Sequence, residues 1–211
     1  MYVKDRMKTD IISISKEIKI SQALDIFASN DFHRLPVVDN NSRLIGLITE
    51  GVIKAHTPSK ATSLSIHELN YLLSKTSVES IMITDVITIN PDCLLEEAAE
   101  LMMKNDIGCL PVTIDNNKLV GIITQKDIFA AFVDLLGYHD SGSRIVIKID
   151  QDEIGVLAKI AKIMADNNIS ISHLAVYRKS QVHVVMRVDM MDGQYVANLL
   201  TANGYLVVDI N

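Results

Sequence analysis

The chain has no tryptophan, two cysteines and four prolines in 211 residues, and only 5% of its residues are aromatic. Two cysteines, Cys93 and Cys109, cannot build a disulfide framework and fit a reducing interior. No apolar run approaches the roughly 20 residues of a membrane span. The N-terminus, Met1-Tyr2-Val3-Lys4-Asp5-Arg6, carries no apolar signal core. Positive charge is not in excess: 26 acidic residues outnumber 20 basic ones, a net charge of −6. That argues against a general electrostatic grip on nucleic acid or an anionic membrane surface. A Walker loop, a Rossmann glycine fingerprint and a Gly-x-Ser-x-Gly elbow are all missing. The six histidines show no metal-ligand spacing among themselves or with cysteine. What remains is 48% hydrophobic and 22% charged, enough for a sizeable core in one large or two small domains. The expectation is a cytoplasmic protein that needs no metal and binds neither nucleic acid nor membrane.

An internal repeat organises the first two thirds. A shift of 75 residues superposes Val3, Met7, Thr9 and Asp10 on Val78, Met82, Thr84 and Asp85. The same shift aligns Asn30-Asp31 with Asn105-Asp106, Leu35-Pro36-Val37 with Leu110-Pro111-Val112, and Gly46, Ile48 and Thr49 with Gly121, Ile123 and Thr124. Each copy reads β-α-β-β-α. A short strand (Ile11–Ile14, Val86–Ile89) leads into an amphipathic helix, with Leu94, Ala98, Leu101 and Met102 on the buried face of the second. A β-hairpin follows (Leu35–Val38 with Leu44–Thr49, Leu110–Ile114 with Leu119–Thr124). The second copy ends in a helix from Lys126 to Leu136, stopped by Gly137. Neither copy exceeds about 60 residues, too few for a secure core alone, so the two are expected to pack as one pseudo-twofold domain. The connector 57–76 carries apolar residues at 66, 69, 72 and 73, a helical spacing.

After the polar stretch 139–143 a second pattern begins. Ile145–Ile149 reads as a strand, and a helix follows with Leu157, Ile160, Ala161 and Met164 inward. Strands come at Ile169–Tyr177 and Val182–Val188, a helix at Gly193–Ala202, and a last strand at Tyr205–Ile210. The order is β-α-β-β-α-β. Its strands carry apolar residues at both parities, while two helices cover one face of a sheet. The other face calls for cover, and a second copy of the chain is the expected one.

The repeat resembles a pair of CBS motifs, a Bateman module. The carrying residues are Met-x-Thr-Asp-x-Ile-x-Ile (82–89), the two Leu-Pro-Val triplets and Gly-x-Ile-Thr-x-x-Asp (121–127). The last third resembles an ACT domain through Asp-x-x-Gly-Val-Leu (152–157) and Asn-Ile-Ser-Ile (168–171). The whole order, with Glu-Leu-Asn-Tyr-Leu-Leu (68–73) between the repeats, is similar to the bacterial acetoin utilisation protein B family. The resemblance implies an α+β protein: CBS motif 1 at 1–56, a bridging helix at 57–76, CBS motif 2 at 77–138, a linker at 139–143 and a ferredoxin-like ACT domain at 144–211.

It also implies an adenine nucleotide (AMP, ADP or ATP, with S-adenosylmethionine as a relative) between the motifs. One seam would be formed by Thr9, Ile12, Phe32, His33, Arg34 and Pro36 from the first motif with Ile122, Thr124, Lys126 and Asp127 from the second. A carboxylate such as Asp127 accepts two hydrogen bonds from a ribose diol, and His33 and Arg34 bring positive charge to phosphates. The opposite seam has Val52 where Asp127 stands and Gly108-Cys109 where His33-Arg34 stand, so one competent site per chain is expected. Read singly, Asp127 is equally a helix cap. In the last third the resemblance implies an effector near Asp152, Ile154 and Gly155, although Asp152 is equally an N-cap. The function implied is a non-catalytic, dimeric regulatory sensor with a role in acetoin or butanediol catabolism. An enzyme acting on a nucleotide in the same cleft and a ligand-free scaffold stay open as alternatives.

Overall fold

The strands, helices and turns of the two repeats recur at matching positions in the computed structural model, which describes residues 1–30, 32–57, 66–151, 153–178 and 180–211. The first copy builds β1 (Ile14–Ser15), α1 (Ile20–Ala28), β2 (Arg34–Val38), β3 (Leu44–Thr49) and α2 (Glu50–His56). The connector supplies α3 (Ile66–Lys75), and the part of the expected bridge at 58–65 lies outside the described residues. The second copy builds α4 (Leu95–Lys104), β4 (Cys109–Ile114), β5 (Lys118–Thr124) and α5 (Gln125–Leu135). Among the described residues no helix is long and apolar enough to cross a membrane.

Matching side chains end matching helices. The Lys19 and Leu94 backbone N–H groups, which would be left over at the starts of α1 and α4, donate to the side chains of Gln22 (2.9 Å) and Glu97 (2.8 Å). At the other ends the Asn30 and Asn105 amides donate to Ile26 O and Leu101 O, each at 2.8 Å. The asparagines that break the pattern are thus C-terminal caps.

The two copies interlock by exchanging their first residues. Val3 N donates to Cys93 O, and Val78 N to Ile18 O, both at 2.9 Å. Lys8 pairs with Ile122 of β5, and Ile83 with Leu47 of β3. Val78 sits in the first copy's core with Ile20, Ala23, Phe27, Leu35 and Ile48. Arg43 and Lys118, equivalent by the 75-residue shift, pair with each other and so mark the pseudo-twofold axis. The exchange also explains two repeated glycines. A Cβ on Gly46 would stand 2.5 Å from Met82 Sδ, and one on Gly121 would stand 2.8 Å from Met7 Sδ and 2.9 Å from Lys8 O.

Three sequence expectations are corrected in this unit. The leading strands are shorter than Ile11–Ile14 and Val86–Ile89: β1 has two residues, and the second copy makes only the parallel bridge Ile89–Val112. The reason is that Lys8 and Ile83 already pair with the opposite hairpin, so the residues after them pass between two sheets. Leu94 is exposed as the residue preceding α4, and Leu95 takes the buried place beside Ala98 and Met102. The last helix begins at Gln125 rather than Lys126 and ends at Leu135.

The chain's contacts divide it into Met1–Ile128 and Phe129–Asn211, a division that falls inside α5. The second unit contains β6 (Ser143–Ile149), α6 (Val156–Asp166), β7 (Ile171–Arg178), β8 (Val182–Val188), α7 (Gly193–Ala202) and β9 (Leu206–Ile210). The sheet is antiparallel with order β7-β8-β6-β9. Its core packs Ile145, Ile147 and Met186 against Ile160 and Met164 of α6 and Val196 and Leu200 of α7. Leu157 and Ala161, expected inward, are exposed. Val156 and Ile163 pack against the core instead, beside Ile160 and Met164 and on the opposite flank from Leu157 and Ala161.

Candidate ligand site between the repeats

Thr124 ends β5 and Asp127 opens α5, so the β-to-α turn sets them side by side. Asp127 Oδ2 accepts from the Thr124 hydroxyl (2.6 Å) and from Thr124 N (2.8 Å). In the first copy Thr49 Oγ1 accepts from Val52 N at 3.1 Å, and no carboxylate stands at position 52 to answer it. The lopsidedness of the duplication is therefore geometric. Both threonines cap a helix, but only one is hydrogen-bonded to an acid whose second oxygen, Oδ1, keeps acceptor capacity for a diol.

The other expected residues are distributed as follows. Lys8 exchanges two backbone hydrogen bonds with Ile122 (2.9 and 3.0 Å), which sets Thr9 at the edge of β5. Ile12 is 45% exposed. Lys126 is exposed on the first turn of α5, and Pro36 is buried in β2 opposite Leu47. Phe32 is drawn into the first core, edge-on to Phe27 with ring centroids 6.4 Å apart. Its packing is satisfied by the protein.

His33 and Arg34 are placed differently from expectation. Both line a cavity of about 490 Å³ on the Thr49 side, with Glu50, Gly51 and Lys54 from the first copy and Asp85–Ile87 and Asp106–Cys109 from the second. Gly108 explains how. A side chain there would collide with the Arg34 guanidinium, so the bare glycine lets Arg34 lie across to the second copy. His33 Nδ1 is 3.1 Å from Glu50 Oε1, and Lys54 Nζ donates to Glu50 Oε2 at 3.2 Å. The hydrogen bond from His33, and then that from Lys54, hold the Glu50 carboxyl below the usual carboxylate range. Burial pushes the Cys109 thiol up to about 11, with Arg34 pulling weakly the other way. The valine-bearing seam is thus not devoid of charge.

Glu50 and Lys54 escaped the sequence reading, although a signal was present. The 75-residue shift sets Glu50 against Gln125 and Lys54 against Phe129, two more places where the first copy is charged and the second is not.

In the second unit, Glu153, Ile154 and Gly155 line a cavity of about 360 Å³ together with Arg178, Val176, Val182 and Val184. Gly155 adopts φ +94°, a left-handed conformation that favours glycine, and Ile154 is fully exposed. Asp152 lies outside the described residues.

The site between the repeats sits in a recognisable class of protein. Residues 3–55 and 78–134 match the model of the CBS domain, and the chain belongs to that family. A homoserine O-acetyltransferase of Methanohalobium evestigatum is 35% identical over 127 residues, 60% of this chain and 23% of that enzyme. The chain spans about a quarter of the length of the curated relatives it matches first. Among solved structures, the CBS pair of protein MJ0100, in complex with 5′-methylthioadenosine and S-adenosyl-L-methionine, superposes with a TM-score of 0.52 at 29% identity, covering 64% of this chain and 97% of that one. A Vibrio cholerae protein assigned to acetoin utilization (AcuB) superposes with a TM-score of 0.55 at 28% identity, covering 66% of this chain and 96% of that one.

Proposed function

We propose that the chain is a regulatory sensor whose CBS pair binds an adenosine compound, a nucleotide or a sulfonium or thioether relative. The observation that carries this reading is the Thr124–Asp127 pair. It combines a hydroxyl at a helix start with a carboxylate that has one oxygen left to accept from a ribose diol. The likeness to an MJ0100 pair holding two adenosyl compounds supports the ligand class. Binding would regulate by favouring one arrangement of the chain, since a ligand of equal affinity for two states shifts neither.

A second reading places the ligand in the Thr49 seam. The cavity of about 490 Å³ and its cations, His33, Arg34 and Lys54, favour it. Calorimetry with AMP, ADP, ATP, S-adenosylmethionine and methylthioadenosine separates the two. Loss of heat in Asp127→Ala supports the first seam, and loss in Thr49→Val with Asp127 intact supports the second. No heat from any of the five compounds overturns both.

The second unit serves, in the same reading, as an ACT-type dimerisation module. Support comes from Tyr177 and Leu206, 45% and 50% exposed on the sheet face away from α6 and α7. The cavity beside Gly155 suits a small carboxylate effector, with Arg178 on its wall. A place in acetoin catabolism is supported by the Vibrio cholerae likeness alone.

A further inference from the structure

The sheet face left open by α6 and α7 is partly covered by the chain's own connection from α5 to β6. His173, on β7, is the residue that holds this connection. Its Nδ1 lies 2.9 Å from the carbonyl oxygen of Leu135, the last residue of α5, and its Nε2 lies 2.6 Å from Asp140 Oδ2. The ring faces Gly137, whose φ of +64° and missing side chain make room for it: a Cβ there would overlap the imidazole. Arg187, paired with His173 across β7 and β8, donates from Nη1 to the Asp140 carbonyl at 2.9 Å.

The chemistry of these partners is one-sided. A peptide carbonyl can only accept, and so can an ionised carboxylate. A neutral imidazole has one N–H and satisfies only one of them. Both contacts together require an N–H on each ring nitrogen, which is the imidazolium. The Leu135 carbonyl, at a helix C-terminus, is itself a favourable place for a cation.

We propose that His173 is a proton-operated latch, which fastens the connection 135–140 to the sheet when doubly protonated and releases one of its two anchors when it loses a proton. The charges around it are mixed. Asp140 from the connection favours the imidazolium, and Arg187 from β8 opposes it. Arg144 from β6 is paired with Asp209 at 3.0 Å, and Tyr177 on the same strand as His173 brings a phenol. Docking is complete when both ring nitrogens carry a proton and weakens when one proton is lost as pH rises. The latch is independent of what the CBS pair binds.

Hydrogen–deuterium exchange of the full chain between pH 5.5 and 8.5, corrected for the intrinsic pH dependence of exchange, tests this. Protection of residues 136–141 should fall about tenfold across that range, while the core of β6 and β8 stays constant. His173→Gln should remove the pH dependence. Asp140→Asn should keep the segment protected at pH 8.5, because an asparagine can turn its amide N–H toward a neutral imidazole nitrogen. Nitrogen-15 spectra should show both ring nitrogens of His173 protonated at pH 5.5. Protection that does not change with pH in the wild type, or one bare ring nitrogen at pH 5.5 with the segment docked, overturns the proposal.

Discussion

Single atoms decide several positions. At Gly121 the space for a methyl group is taken by Met7 Sδ and by the Lys8 carbonyl, and at Gly46 by Met82 Sδ and the Ile83 carbonyl. A thioether can swing away, but a backbone oxygen held in a bridge cannot. Gly121→Ala and Gly46→Ala should each destabilise the chain by about 1–3 kcal/mol in urea unfolding, with little relief from a further Met→Ala change. Cys109 is 4% exposed and its thiol is held up at about 11 by burial. It should resist iodoacetamide at pH 8 in the folded chain and react once the chain is unfolded. The sign of its linkage follows. The folded thiol keeps its proton where the unfolded one, near 9, has lost it, so stability is intact below pH 9 and falls as pH rises from 9 to 11. Cys109→Ser, measured at pH 8 and pH 10.5, should show the smaller loss between the two.

At the scale of elements, the exchange of the first residues makes each copy depend on the other. Val78 completes the core of the first copy, and Val3, fully buried, lies against the start of the second, hydrogen-bonded to Cys93. Val78→Ala should cost on the order of 1–3 kcal/mol. Fragment 1–56 should be unfolded by circular dichroism when alone and gain structure on mixing with fragment 77–138. A fragment 1–56 that folds alone would contradict the interlocking. The repeat, both hairpins, and the helices α4, α5 and α7 were legible in the sequence because burial and turn chemistry write themselves at short range. The faces of α4 and α6 were misread by a residue. At 100° per residue, Val156 and Ile163 lie on one flank of Ile160 and Leu157 and Ala161 on the other, and which flank is buried is decided by the sheet packed against it.

For the molecule as a whole, ligand and assembly are the measurable consequences. An adenosine compound held at 100 times its dissociation constant should raise stability by about 2.7 kcal/mol, and Asp127→Ala should abolish that gain while leaving the ligand-free chain folded. Sedimentation should give a dimer at micromolar concentration, and Tyr177→Lys with Leu206→Lys on the open sheet face should shift it toward monomer. A wild type that sediments as a monomer removes the dimer reading.

Sequence alone determined the duplication, the order of strands and helices in both units, and the unequal endowment of the two copies at Asp127 and Val52. Those are properties of a pattern, and a pattern is local: the spacing of apolar side chains and the caps beside them are set by neighbours within a few residues. Only the tertiary structure decided that Met7 packs on the second copy and Met82 on the first, on which side of the axis His33 and Arg34 lie, and that the connection before β6 folds back on His173. Each of these joins residues far apart in the chain, and the glycines that permit them, Gly46, Gly108, Gly121 and Gly137, reveal the partner only when it is in place.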